Sequence, residues 1–195
     1  VDNIPKIKNN LVKSDKDDFH PYNYNKDTLA RPWAIPGVKG LEHRIGGLEK
    51  EDISGDVSYD PENHHEMTLK RQKKVDIIAN FIPELEILGE QSAKLLVLSW
   101  GGVFGSVKSA VKKAQESGLS VSHAHLRYLN PFPRNLGEML LKFDKILIPE
   151  LNLGQLLAII RAKFLVNATG FNKIAGKPFS SDEILNEIKL LIGKE

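Results

Sequence analysis

The 195-residue sequence contains no cysteine. A chain without cysteine has no disulfide, no thiolate nucleophile, and no cysteine ligand for zinc or for an iron–sulfur cluster. It also lacks a run of about 18 apolar residues that could span a bilayer, and its first residues lack the order of a secretory signal. We therefore expect a cytoplasmic protein that has no membrane partner.

Neither sign of charge dominates, since the formal net charge is only +2. Residues 95–195 carry 13 basic and 8 acidic residues and are mildly basic. Lysines spread over predicted helix surfaces are usually solvated, and no basic segment is interleaved with aromatic residues. We therefore expect no nucleic acid partner.

Residues 1–60 have many prolines and glycines and few regularly spaced apolar residues. Such a stretch is rare inside a compact domain and predicts an extended connector. Because the chain does not begin with methionine, we expect the connector to lead from a missing upstream domain. A linking helix is predicted within residues 61–93, since Asp60 can cap it and Pro61 suits its first turn. Pro83 is expected to end this helix.

From residue 94 onward, apolar strand patterns alternate with helical patterns. This alternation predicts an α/β domain over residues 94–195, with three layers and four or five strands joined by crossover helices. Strands are predicted at 94–100, 120–127, 145–150 and 165–169, and helices at 105–117, 135–143, 154–165 and 181–192.

A glycine-rich turn with Gly101, Gly102 and Gly105 follows the first predicted strand of this domain. Backbone amides in such a turn can meet an anion or a carbonyl of a partner. The spacing differs from the GxGxxG fingerprint, and no acidic residue ends the second strand to hold a ribose. These glycines and Ser106 are therefore weak candidates for binding a nucleotide or a cofactor. Ser106 is better explained as a cap of the following helix.

Two of the residue pairs that contain histidine are candidate sites. His123 and His125 are two apart on a predicted strand and face the same side, which is a spacing found in metal sites. No third ligand is evident, so hydrogen-bonded packing histidines are the better interpretation, and we predict no metal site. His43 and Arg44 lie in the connector, where they could contact an anion at a subunit junction or make a local turn contact.

The end of the strand predicted at 145–150 is the place where we expect partners to bind. Glu150 is followed by Asn152 and Gly154 at the carboxyl edge, where open α/β sheets bind their ligands. Asparagine is common in such turns for backbone reasons, so a helix cap or a subunit contact is the expected use of Asn152. No set of residues for nucleophilic or acid–base catalysis stands out, and we assign no catalytic residue.

Five blocks of sequence, taken in order, carry a family resemblance. They are RPWAIPGVKGLEHRIGGLEKED (31–52), SYDPENHHEMTLKRQKKVD (58–76), LSWGGVFGSVKSAV (98–111), HAHLRYLNPFPRNLGE (123–138) and IPELNLGQLLAIIRAKFLV (148–166). The chain resembles the C-terminal part of the α subunit of 2-oxoglutarate:ferredoxin oxidoreductases, within the 2-oxoacid:acceptor oxidoreductase family. The resemblance implies a transketolase C-terminal-like domain with a three-layer α/β/α fold and a mostly parallel, five-stranded sheet.

The family reaction is the CoA-dependent oxidative decarboxylation of a 2-oxoacid, with electrons passing to ferredoxin. The resemblance implies that thiamine diphosphate, Mg²⁺ and an iron–sulfur cluster belong to the full complex, and that this chain binds none of them. It implies as partners the upstream domains of the same subunit, a β subunit that binds thiamine diphosphate, and ferredoxin, in an oligomeric enzyme that this domain assembles and shapes. A free-standing α/β module that binds a nucleotide or CoA is the alternative.

The matching blocks also imply which residues lie at interdomain or subunit contacts. These residues are Gly101, Gly102, Gly105, Asn130, Pro131, Asn152, Gly154 and Gln155.

Overall fold

A computed structural model describes residues 11–12 and 19–193. The chain divides into two compact units, Val1–Ile78 and Ala79–Glu195. Residues 1–10 and 13–18 of the predicted connector lie outside the described residues. No helix in the described ranges combines the length and the apolar character needed to cross a membrane.

The first unit contains short strands and one long helix. Strand β1 (Leu11–Val12) pairs in parallel with strand β2 (Trp33–Ala34), and helix α1 spans Pro61–Ile77. Met67 is the buried residue of α1, and the Tyr24 hydroxyl donates a hydrogen bond to its sulfur over 3.7 Å. The segment predicted as an extended connector therefore contains strand pairing and packs against the helix of its own unit.

The predicted start of α1 is confirmed, and its predicted end is wrong. The Asp60 carboxylate accepts a hydrogen bond from the amide of Glu62 over 2.8 Å, and Pro61 occupies the first turn. The α-helix ends at Ile77, well before Pro83, and continues as a 3-10 turn over Ile78–Asn80. Ile78 is 44% exposed, so no buried apolar face extends the helix.

The second unit is built on a five-stranded sheet. The spatial order is β3-β5-β4-β6-β7, and every neighbouring pair is parallel except β3 with β5. The strands are β3 (Ile87–Leu88), β4 (Leu95–Trp100), β5 (Val121–Leu126), β6 (Lys145–Glu150) and β7 (Ala168–Asn172). The helices are α2 (Phe104–Glu116), α3 (Leu136–Leu140), α4 (Gln155–Phe164) and α5 (Ser181–Gly193).

Alternate residues of the central strand, β4, face two separate cores, because successive side chains of a strand point to opposite faces of the sheet. Leu96 and Leu98 belong to a buried cluster that includes side chains of α3 and α4. Leu95 and Val97 belong to a second cluster that includes side chains of α2 and α5. The sheet therefore lies between two helical layers, which confirms the predicted three-layer α/β class.

Two elements of this unit have bounds that differ clearly from the sequence-based predictions, and one short strand was not predicted. Strand β7 lies at Ala168–Asn172 and not at 165–169, because α4 ends at Leu165 in the left-handed conformation, with φ of 54°. Helix α3 is shorter than the predicted 135–143. Strand β3 was not predicted, since a two-residue strand carries too little periodicity to be detected.

Candidate functional site at the carboxyl edge of the sheet

The sheet has a topological switch point between β4 and β6. The chain leaves β4 for β5 on one side and then crosses to β6 on the other side, and the carboxyl ends of these parallel strands share one edge. Open α/β sheets bind ligands in the crevice that this arrangement produces. A cleft of about 300 Å³ lies there, and its lining includes Gly101, Gly102 and Asn152. Glu150 lines the same cleft, so the structure brings together four of the residues singled out from the sequence.

The Glu150 side chain lies at the base of this cleft and is 1% exposed. Its carboxylate accepts hydrogen bonds from the amides of Leu156 and Leu157 over 3.0 and 2.9 Å. It also accepts a hydrogen bond from Nε1 of Trp100 over 3.3 Å. A carboxylate at this position satisfies free amides at the start of α4 and interacts favourably with the helix dipole. Glu150 therefore fixes the helix to the strand and is not available as a free base.

Asn152 and Gly154 shape the turn between β6 and α4. The Asn152 side chain accepts hydrogen bonds from the amides of Gly154 and Gln155 over 2.7 and 3.3 Å. Gly154 has φ of 92°, and a Cβ there would lie 2.9 Å from Nδ2 of Asn172. Asn152 therefore has the backbone role expected of asparagine in such turns. The Gln155 side chain is exposed at the same edge.

The glycines after β4 leave open space at the edge of the sheet. A Cβ on Gly101, Gly102 or Gly105 would meet no atom within 4 Å, so packing within this unit requires none of the three. Gly101 has φ of 61°, which favours glycine in the turn. The exposed backbone can therefore be approached closely by another molecule.

The hydroxyl of Ser106 is already used within the fold. It donates a hydrogen bond to the carbonyl of Phe179 over 2.6 Å, which connects α2 with the segment before α5. No side chain caps α2 at Val103, so the expectation that Ser106 caps this helix is wrong.

Asn130 and Pro131, joined by a cis peptide bond, follow β5 and lie at the same carboxyl edge.

The two strand histidines form a hydrogen-bonded cluster with Ser99. The Ser99 hydroxyl lies 2.7 Å from Nε2 of His123 and 2.8 Å from Nδ1 of His125. The ring of Phe104 packs against both imidazoles, with centroids 5.7 and 4.8 Å away. The interpretation as packing histidines is confirmed. Sequence reasoning missed Ser99, although the parallel pairing of β4 with β5 places it opposite His125.

Burial determines the electrostatics of this cluster. His123 is 1% exposed, and burial, with smaller contributions from His125 and Lys108, lowers its pKa from 6.5 to about 4. Burial and then the charge of Arg127 lower the pKa of His125. Among the residues that the structure describes, no group of three or more histidine, cysteine or acidic side chains could hold a metal ion.

His43 and Arg44 belong to the first unit. His43 Nδ1 lies 2.9 Å from the carbonyl of Leu41, and its ring packs edge-on against Phe19. Of the two uses considered for His43, the structure shows the local turn contact. The Arg44 side chain is exposed.

Exposed apolar side chains cluster at the carboxyl edge of the sheet. Leu151 is 41% exposed, Leu153 is 77% exposed, and Ile174, in the loop after β7, is 67% exposed. A second cleft of about 430 Å³ lies between Gly102, Leu151 and this loop. Exposed apolar surface of this kind is typical of sites that bind other proteins. The edge combines open glycine backbone, a crevice and apolar side chains, and Glu150, already hydrogen-bonded, is the ionisable side chain in the lining of the smaller cleft.

Comparison with known proteins identifies the family. Residues 93–184 match the family model for the pyruvate:ferredoxin oxidoreductase core domain II. The chain is 48% identical over 185 residues to the 2-oxoglutarate oxidoreductase subunit KorA of Mycobacterium tuberculosis, across 94% of this chain and 28% of that relative. The chain belongs to the 2-oxoacid:ferredoxin oxidoreductase family. The resemblance found in the sequence is therefore confirmed.

Other members of the family agree with this assignment. The 2-oxoglutarate synthase subunit KorA of Methanothermobacter thermautotrophicus is 30% identical over 159 residues, which cover 80% of this chain and 40% of that relative. A solved 2-oxoglutarate:ferredoxin oxidoreductase from Magnetococcus marinus, with 2-oxoglutarate, coenzyme A and succinyl-CoA bound, matches with a TM-score of 0.83 and 28% identity. That match covers 92% of this chain and 32% of the solved chain. The chain thus spans well under half the length of these relatives.

Proposed function

We propose that this chain is the C-terminal part of the α subunit of a thiamine-diphosphate-dependent oxidoreductase that decarboxylates a 2-oxoacid with CoA and reduces ferredoxin. The observation that carries the proposal is the 48% identity to a 2-oxoglutarate oxidoreductase subunit across 94% of the chain. Because two relatives are named for 2-oxoglutarate, this 2-oxoacid is the proposed substrate.

The residues of this chain do not fit the cofactors of that reaction. A cluster bound by cysteine thiolates needs cysteines, and the 195 residues contain none. The described residues also lack a group of acidic side chains that could hold a metal ion with a diphosphate. We therefore assign the cofactors to other parts of the complex and derive no reaction step in this chain.

The proposed role of this chain is to assemble and shape the enzyme through the carboxyl edge of its sheet. The exposed Leu151, Leu153 and Ile174 supply apolar area, and the open glycines allow close approach of another backbone. The partners proposed for this surface are the remaining domains of the same subunit and the subunit that binds thiamine diphosphate. Ferredoxin is the proposed electron acceptor of the whole complex.

The activity is tested on the complete complex. The full α subunit is expressed with its partner subunit, and reduction of ferredoxin is followed spectroscopically with 2-oxoglutarate, with pyruvate, and with CoA omitted. We expect reduction that requires CoA and is faster with 2-oxoglutarate. A complex that reduces ferredoxin with neither 2-oxoacid would contradict the proposed function.

The docking role is tested with two matched variants. Leu153 and Leu141 are both 77% exposed, but Leu141 precedes β6 and therefore lies at the opposite, amino edge of the sheet. An unpaired carboxylate buried in an interface is costly, so Leu153→Asp is expected to lower recovery of the assembled complex by about tenfold. Leu141→Asp is expected to assemble as the unchanged subunit does. Equal assembly of the two variants would rule out the carboxyl edge as the docking surface.

The alternative function, binding of a nucleotide or CoA by the loop Gly101–Ser106, has less support. The open glycines favour it, but the cleft that both Gly101 and Gly102 line has no cationic side chain and includes the carboxylate of Glu150. The second cleft, beside Gly102, is lined by Lys173 and Lys177, of which Lys173 is already paired with Glu183. Phosphate sites in proteins generally supply positive charge or free amides. Calorimetric titration of the chain with CoA distinguishes the alternatives, since tight binding that Gly102→Asp abolishes would favour the binding module.

A further inference from the structure

A cleft in the first unit has a strongly basic lining. Its volume is about 450 Å³, and it lies between α1 and the segments that contain Tyr22 and Tyr24 and the loop Gly46–Lys50. The charged side chains in its lining comprise five cations and one carboxylate. They are Arg31, Lys50, Lys70, Arg71, Lys74 and Glu49.

The charge of Lys50 is buried without a carboxylate. Lys50 is 3% exposed, and its Nζ donates hydrogen bonds to the carbonyls of Gly46 and Leu48, each over 2.7 Å. An ammonium has three donors, so these bonds use two of them. Lys50 forms no ion pair with any carboxylate in the part of the chain that the structure describes. A buried charge without a counter-charge is costly, and a bound anion would supply the missing negative charge.

Two of the other cations are neutralised within the unit. Arg71 pairs with Glu49 over 3.1 Å, and Lys70 pairs with Asp52. Glu49 also bonds to Nδ1 of His64 over 2.5 Å, and this contact, ahead of the contact with Arg71, lowers its pKa. The carboxylates near the cleft are therefore already engaged.

Arg31 and Lys74 remain without a carboxylate partner among the described residues. The Arg31 guanidinium lies 4.2 Å from the centroid of the Tyr22 ring, which orients it by a cation–π contact. Lys74 lies on the exposed side of the last turn of α1. Together with Lys50, these side chains place three uncompensated positive charges around one cleft.

We infer that this cleft binds a small ligand that carries two or more phosphate groups. Arginine and lysine together suit such groups, because the planar guanidinium pairs with two oxygens and the ammonium acts as a point charge. A Cβ on Gly46 or Gly47 would meet no atom within 4 Å, so the backbone beside Lys50 is also open to the ligand. The cleft volume lies within the range typical of small-molecule sites. This inference goes beyond the proposed function, whose docking surface lies in the second unit.

The inference is tested by calorimetric titration of the 195-residue chain with pyrophosphate and with orthophosphate. Since pyrophosphate can reach two cations at once, we expect it to bind about tenfold more tightly than orthophosphate. Binding is expected to weaken as the NaCl concentration rises, because salt screens exposed charges. Equal affinity for the two anions, or no binding of pyrophosphate, would overturn the inference.

Two neighbouring lysines provide a matched pair of variants. Lys73 and Lys74 are both exposed on α1, but only Lys74 lines the cleft. Lys74→Ala is expected to weaken pyrophosphate binding by about tenfold, and Lys73→Ala by less than about twofold. Equal effects of the two variants would show a general attraction to basic surface and would contradict a specific site.

A third variant changes affinity in the opposite direction. Glu49→Gln removes the carboxylate from the lining and frees Arg71, so it is expected to tighten pyrophosphate binding by about threefold. An unfolded variant cannot produce this gain. If Glu49→Gln instead weakens binding, the inference is wrong. These results do not depend on ferredoxin reduction, so they are separable from a failure of the proposed function.

Discussion

At the scale of single residues, Ser99 links the protonation of two histidines. A hydroxyl has one proton, so Ser99 can donate to only one of the imidazole nitrogens that flank it, at 2.7 and 2.8 Å. The other imidazole must then donate its N–H to the Ser99 oxygen. Nδ1 of His123 is buried and has no hydrogen-bond partner, so an additional proton there is disfavoured. The cluster is therefore stable with neutral imidazoles.

This arrangement predicts how stability depends on pH. The pKa of His123 is about 4 in the folded chain and about 6.5 when unfolded, so the unfolded chain binds more protons between these values. The contribution of His123 to the free energy of unfolding is expected to be complete above pH 6.5. It is expected to be lost as the pH falls towards 4, and the loss is on the order of 3 kcal/mol. Urea denaturation at a series of pH values measures this.

Two histidine variants isolate the contribution of His123. His123→Gln is expected to flatten the dependence between pH 6.5 and 4, whereas His65→Gln, at an exposed position, is expected to leave it in place. Identical pH profiles for the unchanged chain and His123→Gln would show that other groups produce the effect.

At the scale of secondary-structure elements, side chains connect strand ends with helix starts. Glu150 joins the end of β6 to the first turn of α4, as described above. At α5, the Ser180 hydroxyl accepts a hydrogen bond from the Glu183 amide over 3.2 Å, and the Glu183 carboxylate accepts one from the Ser180 amide over 2.7 Å. These two reciprocal hydrogen bonds form a capping box.

Replacement of Glu150 tests how much such a connection contributes. Glu150→Gln keeps the size of the side chain but removes the charge and turns an acceptor into a donor that faces helix amides. We expect a loss of about 1–3 kcal/mol in the free energy of unfolding, because a buried amide of α4 then has no acceptor. Glu138→Gln, on the exposed side of α3, serves as the control and is expected to change stability by less than about 0.5 kcal/mol. Thermal denaturation of both variants measures the difference, and equal melting temperatures would contradict the role given to Glu150.

At the scale of the whole molecule, the second unit contains its own complete core. Both buried clusters are formed entirely by residues between Leu85 and Ile192. A unit with its own core is expected to fold by itself. We therefore predict that the segment 79–195 alone gives a cooperative thermal transition and a well-dispersed amide NMR spectrum. A spectrum typical of an unfolded chain would show that this unit depends on residues 1–78.

The sequence predicted the fold well where apolar runs are long and poorly where they are short. Strand β6 was predicted with its observed bounds, 145–150, because Ile146, Leu147 and Ile148 form an unbroken buried run. The end of α4 was misjudged because the apolar pattern continues through Leu165, which instead adopts a left-handed conformation. A helical stop of this kind has no strong local signal when the residue is not glycine.

The two candidate sites also differ in how far the sequence predicts them. The carboxyl edge could be predicted, because strand order and loop position follow from the alternation of strands and helices. The basic cleft could not, since Arg31, Lys50 and Lys74 are far apart in sequence and only the folded unit brings them to one cavity. The sequence analysis therefore did not single out these cations.

The central sheet separates the two buried clusters of the second unit. Leu96 and Leu98 pack on one face, and Leu95 and Val97 pack on the other, so neighbouring residues of the same strand have different surroundings. A side chain that changes in volume on one face therefore meets the helices packed on that face first. The two halves of the core can consequently diverge at separate rates during evolution, and one helical layer can adapt to a new neighbour while the other keeps the sheet intact.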